Sequence, residues 1–113
     1  MKVYRELGFG FVESVFHRAM EIELAKCGLH FESEKKLNVF YEGHIVGHFV
    51  ADLIVDDRLV IELKAVEHIV KAHEVQLVNY LTAANIESGL LLNFGTESLG
   101  CRRKFKRSKS QSC

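Results

Sequence analysis

The sequence predicts an α/β domain in which helices cover a mixed sheet of four strands. Three observations predict it. Residues 11–27 and 69–84 carry apolar side chains at spacings of three and four, the period of a helix with one buried face. Between them, residues 32–41, 45–55 and 59–65 have strand length and strand composition and are separated by turn signals. Gly89 to Phe94 is apolar almost throughout, the pattern of a strand buried on both faces.

Residues 2–7 read as the end of a helix, broken by Gly8-Phe9-Gly10. In the helix over 11–27 the stripe is Val12, Val15, Phe16, Ala19, Met20 and Cys27, and Gly28 is the expected C-cap. The strand over 32–41 holds Leu37, Val39 and Tyr41, and Tyr41-Glu42-Gly43-His44 is its turn. The next strand puts Ile45, Gly47, Phe49, Ala51, Leu53 and Val55 on one face. Asp56-Asp57-Arg58 turns the chain into residues 59–65. In the second helix Val70, His73, Leu77, Tyr80, Leu81 and Ala84 lie near one stripe. There is no proline, so glycine supplies the punctuation.

The chain has 113 residues, 48% apolar and 27% charged, which suits one globular domain with a core of its own. No apolar run reaches membrane-spanning length. The N-terminal residues lack a signal-peptide pattern, so the expectation is a cytoplasmic protein with no membrane partner. Cys27, Cys101 and Cys113 are widely spaced and odd in number, which points to reduced thiols, with Cys27 a small buried hydrophobe. Formal charge is zero but uneven. Residues 1–97 hold nine basic against fifteen acidic residues, and Arg102, Arg103, Lys104, Lys106, Arg107 and Lys109 have no acid among them. The expected division is a domain over 1–100 and a basic tail over 101–113, either an edge strand or a disordered end.

The chemistry is concentrated in the middle strands. Asp52 stands in the apolar segment Val50 to Val55, and Glu62 and Lys64 stand in Leu59 to Ala65. Charges are rarely buried unless paired or bound to a metal. Alternation points Glu62 and Lys64 the same way. If Asp56-Asp57-Arg58 is a three-residue loop, Val55 pairs with Leu59 and Asp52 falls opposite Glu62. Phe49, Ala51, Leu53, Ile61 and Leu63 then form one unbroken apolar face. A two-residue turn would put Asp52 on the wrong face unless a bulge intervened. Adjacent carboxylates repel, and a divalent cation such as Mg²⁺ or Mn²⁺ removes the conflict. Lys64 would orient a water or stabilise charge on a phosphodiester. From spacing alone, the commoner reading of such a trio is a cross-strand salt bridge on a solvated face. His44 and His48 share the strand side of Asp52 but lie too far along it to chelate one metal with it.

Three motifs add to the trio. Asp52 followed by Glu62-Leu63-Lys64 resembles the PD-(D/E)XK nuclease signature. Gly10-Phe11-Val12-Glu13-Ser14-Val15-Phe16 resembles the G-x-x-E-x-x-Y element of the GxxExxY proteins, with Phe16 in place of the tyrosine. Gln76-Leu77-Val78-Asn79-Tyr80 resembles the Q-x-x-x-Y element of RecB-type nucleases. The resemblance also takes in Ile61 to Val66 and Gly89 to Gly95, and it fades after Gly95. It implies a restriction-endonuclease-like α/β/α sandwich and a Mg²⁺- or Mn²⁺-dependent nuclease acting on nucleic acid, DNA foremost. The alternative is an inactive nucleic-acid- or protein-binding module of the same fold. By the resemblance, Asp52, Glu62 and the Leu63 carbonyl hold the metal and Lys64 is catalytic. Glu13 is a further ligand or supports one. Gln76 and Tyr80 contact substrate or hold the lysine, and His73, one turn before Gln76, joins them. A homodimer is compatible with the sequence.

Overall fold

The computed structural model describes residues 1–108. Lys109, in the basic run, and Cys113 lie outside the described residues. The chain forms α1 (Lys2–Leu7), α2 (Glu13–Lys26), β1 (Phe31–Tyr41), β2 (His44–Val55), β3 (Leu59–Lys64), α3 (Lys71–Ala84), β4 (Ser88–Asn93) and β5 (Gly100–Phe105). The strands make one sheet in the order β1-β2-β3-β4-β5. Only β3 and β4 run parallel, joined through α3, so the sheet is mixed. It has five strands, not the four expected. Gly100–Phe105, rich in arginine and lysine, pairs antiparallel with β4 and closes that edge. Charged side chains on an outer strand are a usual protection against edge pairing, so the composition that read as a tail belongs to a strand.

Local chemistry accounts for the boundaries. Gly28 ends α2 at φ 74°, and its N–H and that of Leu29 bond the Ala25 and Leu24 carbonyls. Asn85 ends α3 the same way at φ 55°, with the Asn85 and Ile86 N–H groups bonding Thr82 and Leu81. Glu42 and Gly43 take positive φ in the two-residue turn between β1 and β2. Asp56 and Asp57 do so between β2 and β3, where the Arg58 N–H bonds the Val55 carbonyl. Val55 pairs with Leu59, as the three-residue loop requires.

Two cores lie on opposite faces of the sheet. Val3, Phe16 and Met20 from the first helices pack against Leu53, Val55, Ile61, Leu63, Leu92 and Phe94. Leu77 and Leu81 of α3 pack against Phe49, Ala51, Ile54, Val60 and Leu91. The single apolar face expected through Phe49, Ala51, Leu53, Ile61 and Leu63 is therefore split. Phe49 and Ala51 lie with α3, whereas Leu53, Ile61 and Leu63 lie with α1 and α2. The alternation of β2 reverses phase between Ala51 and Leu53, at Asp52. The β1 ladder skips one pair at the same place: Ser33 pairs with Leu53 and Lys35 with Ala51, while Glu34 between them sits at φ 52°. A carboxylate side chain in the left-handed region is a local distortion worth about 1–2 kcal/mol. Cys27, expected to be buried, is exposed because α2 turns its C-terminal end to solvent, and Cys101 is exposed on β5. Among the described residues no helix is long and apolar enough to cross a membrane.

Candidate active site where two strands part

The β2–β3 ladder stops at Leu53 and Ile61. Beyond that pair, side chains replace the backbone partners. The Leu63 N–H donates to Asp52 Oδ2 at 2.8 Å, and the Asp52 N–H donates to Glu62 Oε1 at 3.4 Å. Asp52 and Glu62 are thus neighbours across the two strands, as the register predicts. Glu62 and Lys64 continue the face of Val60, which belongs to the α3 side. Glu62 is 9% exposed and Lys64 half-buried.

The electrostatics follow from that crowding. Burial, the Asp52 charge and a hydrogen bond with the Asp52 side chain together push the Glu62 carboxyl up to about 8. The buried pair therefore retains a proton near neutral pH unless a cation is supplied. Burial also raises the Glu13 carboxyl, with Asp52 adding to the rise and Lys64 and His17 opposing it. Glu13, the first residue of α2, is exposed overall, but its carboxyl end shares a cleft of about 450 Å³ with Asp52, His17, Glu21, Ser33 and Glu34. In that cleft His17 Nε2 is 2.6 Å from Ser33 Oγ. From the opposite face comes Tyr80, whose hydroxyl is raised by burial and then by Glu62 and Asp52. Its ring stacks on Phe49 with centroids 3.8 Å apart and planes at 1°.

Two residues expected at the site do other things. Gln76 is exposed and makes no side-chain hydrogen bond among the described residues. It lies one position round the helix from buried Leu77, and 100° of rotation takes it off the packed stripe. His73 caps α3: its Nδ1 accepts the Val70 N–H at 3.1 Å. Phe16, in place of the motif tyrosine, is fully buried and stacked on Phe94 at 4.4 Å, a packing role that needs no hydroxyl.

Sequence reasoning missed Asn93. It reads as part of an apolar run, yet it is a 3% exposed amide that anchors the chain just after Lys64. Asn93 Oδ1 accepts the Val66 and Gly95 N–H groups at 3.0 and 3.1 Å, and Nδ2 donates to the Val66 carbonyl at 2.9 Å. The Phe94 N–H donates to the Lys64 carbonyl at 2.8 Å. A Cβ on Gly95 would lie 2.3 Å from the Val66 carbonyl oxygen, so only glycine permits this approach. Since β3 has lost its β2 ladder by this point, its C-terminal end is held from the β4 side. The signal was available: one amide in an otherwise apolar strand needs buried partners.

Among the described residues no three or more His, Cys, Asp or Glu side chains are gathered as a metal-holding group. The Asp52–Glu62 pair still suits a hard cation that keeps most of its waters, since Mg²⁺ is commonly held by one or two carboxylates plus substrate phosphates. The protonation forced on Glu62 is the conflict that such a charge removes.

A family model of the PD-(D/E)XK nuclease superfamily matches residues 1–107. Among solved structures, the crystal structure of SSO0001 has the same fold over 86% of this chain, with a TM-score of 0.66 and 20% identity. The chain spans about half of that protein, 51% of its length. No curated protein matches the sequence.

Proposed function

We propose, from the premise that the chain belongs to the PD-(D/E)XK nuclease superfamily, that it hydrolyses phosphodiester bonds of nucleic acid, DNA foremost, with Mg²⁺ or Mn²⁺. The observation that carries this reading is the convergence of Asp52 and Glu62 where their ladder ends, with Lys64 two residues on and on the face of Glu62. A solvated cross-strand salt bridge does not account for a carboxyl held near 8 by burial beside another carboxylate. In this reading Asp52, Glu62 and the Leu63 carbonyl hold the cation. When bound, it supplies Lewis acidity toward a phosphate oxygen and a water.

The chain's own groups do the rest. Lys64 places its ammonium where negative charge develops on the phosphate, an interaction strongest in the transition state. Glu13, at the mouth of the cleft beside Asp52, adds a carboxylate within reach of a water or of the cation. Asn93 keeps the end of β3 in place. Tyr80 shields the carboxylates from the α3 side. Membership of the GxxExxY group within the superfamily is part of the proposal and rests on the Gly10–Phe16 element and the Ile61–Val66 and Gly89–Gly95 stretches. The test is cleavage of single- and double-stranded DNA and RNA with Mn²⁺, Mg²⁺ or EDTA. Metal-dependent cleavage lost in Asp52→Ala and Glu62→Ala supports the reading. Binding without cleavage at any metal concentration gives way to the inactive-module alternative.

A further inference from the structure

One cleft contains Asp52 on the α2 side and a second lies on the α3 side of the sheet, and their charge decides which one a polyanion can use. The cleft beside α2 is lined by Glu13, Glu21, Glu34 and Asp52, against one arginine, Arg18, and His17. Phosphates entering there meet four carboxylates. The cleft beside α3, about 740 Å³, has no acid in its lining. It lies between the β1–β2 hairpin and the C-terminal half of α3, with Val39 and Phe49 on one side, Asn79 and Tyr80 on the other, and His48 and Arg107 at its polar edge. Tyr80 and Phe49 form its wall on the sheet face of Val60, the face that Glu62 and Lys64 continue, so the cleft lies on the same side of the sheet as those two residues.

Arg107 differs from Lys104 and Lys106. Lys104 is 3.0 Å from Glu74, and Lys106 is 4.0 Å from Glu87, so their charges are answered locally. Arg107 Nη1 donates to the neutral Asn79 Oδ1 at 2.6 Å, and its backbone N–H donates to Thr82 Oγ1 at 3.2 Å. The guanidinium is thereby held over the cleft with no carboxylate partner among the described residues. A fixed cation, an aromatic pair with parallel rings and an acid-free wall are what a nucleotide strand needs: a phosphate contact and a face for a base. The volume is that of a pocket for a small organic ligand, which admits a nucleotide or two and leaves a duplex at the rim.

We infer that the α3-side cleft binds a single-stranded segment of nucleic acid, with a phosphate on Arg107 and a base against the Tyr80–Phe49 stack, leading the strand to Asp52 and Glu62. This rests on the nuclease reading for its direction toward the carboxylates, but binding can be measured apart from cleavage. The experiment is fluorescence anisotropy on the full chain in EDTA, with a short labelled oligothymidylate and a blunt duplex of equal length.

The single strand is expected to bind at least about tenfold tighter than the duplex. Arg107→Gln should weaken single-strand binding about tenfold and lower the salt slope by about 0.7, the loss of one phosphate contact on a single strand. Arg107→Lys, which keeps the charge, should restore most of the affinity, and thermal midpoints confirm that each variant is folded. Arg18→Gln, in the other cleft, should leave binding within about twofold. Duplex binding as tight as single-strand binding, an unchanged Arg107→Gln, a larger loss in Arg18→Gln, or no single-strand binding by wild type would each overturn the inference. Mn²⁺ added to the same oligonucleotides separates the two readings. Single-strand binding lost with Arg107 but never followed by cleavage overturns the nuclease and keeps the cleft. Cleavage that persists with Arg107→Gln binding unchanged overturns the cleft alone.

Discussion

The two faces of the sheet meet at Asp52 and present opposite surfaces on either side of it. On the α2 side the cleft is acidic and hydrogen-bonded within itself, with His17 on Ser33 and Glu21 and Glu13 close by. On the α3 side the cleft is aromatic and lacks acids, with one guanidinium held over it. An irregularity lies where the two faces meet. Glu34 leaves the ladder at φ 52°, β2 reverses its alternation opposite it, and a side chain that regular pleating would confine to one face can be approached from both. Strain of this kind is retained where the surrounding packing over-determines it, and here it lies beside the Asp52 and Glu62 carboxylates. In the proposed function one face takes the cation and water, and in the further inference the other takes a nucleotide strand.

The largest effect expected is at the junction of the faces. Lys64→Ala should lower single-turnover cleavage by about 10²–10³-fold while leaving Mn²⁺ affinity intact or stronger, because it removes a positive charge beside the carboxylates. Lys64→Arg should not rescue it, since a planar fork does not replace a compact ammonium. Mn²⁺ titration and single-turnover kinetics on the same preparations check this, and a Lys64→Ala rate equal to wild type would make the lysine structural. The metal itself should raise thermal stability, by about 2.7 kcal/mol at a hundredfold excess over its dissociation constant. Asp52→Ala and Glu62→Ala should abolish that shift in calorimetry.

Asn93 comes next. Asn93→Ala strips two hydrogen bonds from Val66, after Lys64, and one from Gly95, leaving the half-buried Val66 N–H and carbonyl without their amide partner. The expected loss is about 1–3 kcal/mol in urea denaturation, with faster hydrogen exchange at Val66. Unaltered exchange there would show that the clamp does not hold the end of β3.

The pH dependence tests the junction without substrate. Glu62 has its folded value raised from the ordinary 4.5 to about 8, so between those limits the folded chain binds more protons than the unfolded one. The Glu62 contribution to stability of the metal-free protein is therefore fully present below about pH 4.5 and is lost as pH rises through about 8. Glu62→Gln should flatten this fall, and so should Mg²⁺ by stabilising the charged pair. Denaturation midpoints across that range measure it, and a wild-type profile parallel to Glu62→Gln would refute the assignment. The smallest effect concerns the irregularity itself. Glu34→Gly should stabilise by less than about 1 kcal/mol, because relief of the left-handed carboxylate is partly offset by the greater entropy of glycine in the unfolded chain. Destabilisation would show that the Glu34 side chain makes stabilising contacts in the α2-side cleft.

Much of this was written in the order of residues. The two main helices and the first four strands follow from periodicity, because burying a face imposes a repeat of 3.6 or 2 whatever the partner is. The hairpin register was legible because Asp56-Asp57 can take the left-handed turn and only one loop length sets Asp52 against Glu62. The trio Asp52, Glu62 and Lys64 stood out because charge inside an apolar strand is costly without a purpose. The fifth strand stayed one of two alternatives, edge strand or disordered end, because an edge strand has no buried face on its outer side and can be as polar as a tail. That Gln76 is exposed and His73 caps α3 depends on how that helix rolls against the sheet and not on spacing. Asn93 could be noticed in sequence, but its partner, Val66, is 27 residues away and is brought there only by the parallel pairing of β3 and β4. The reversal at Asp52 was beyond the sequence altogether. It results from packing two cores against one strand, and only the tertiary structure decides which side chains each core takes.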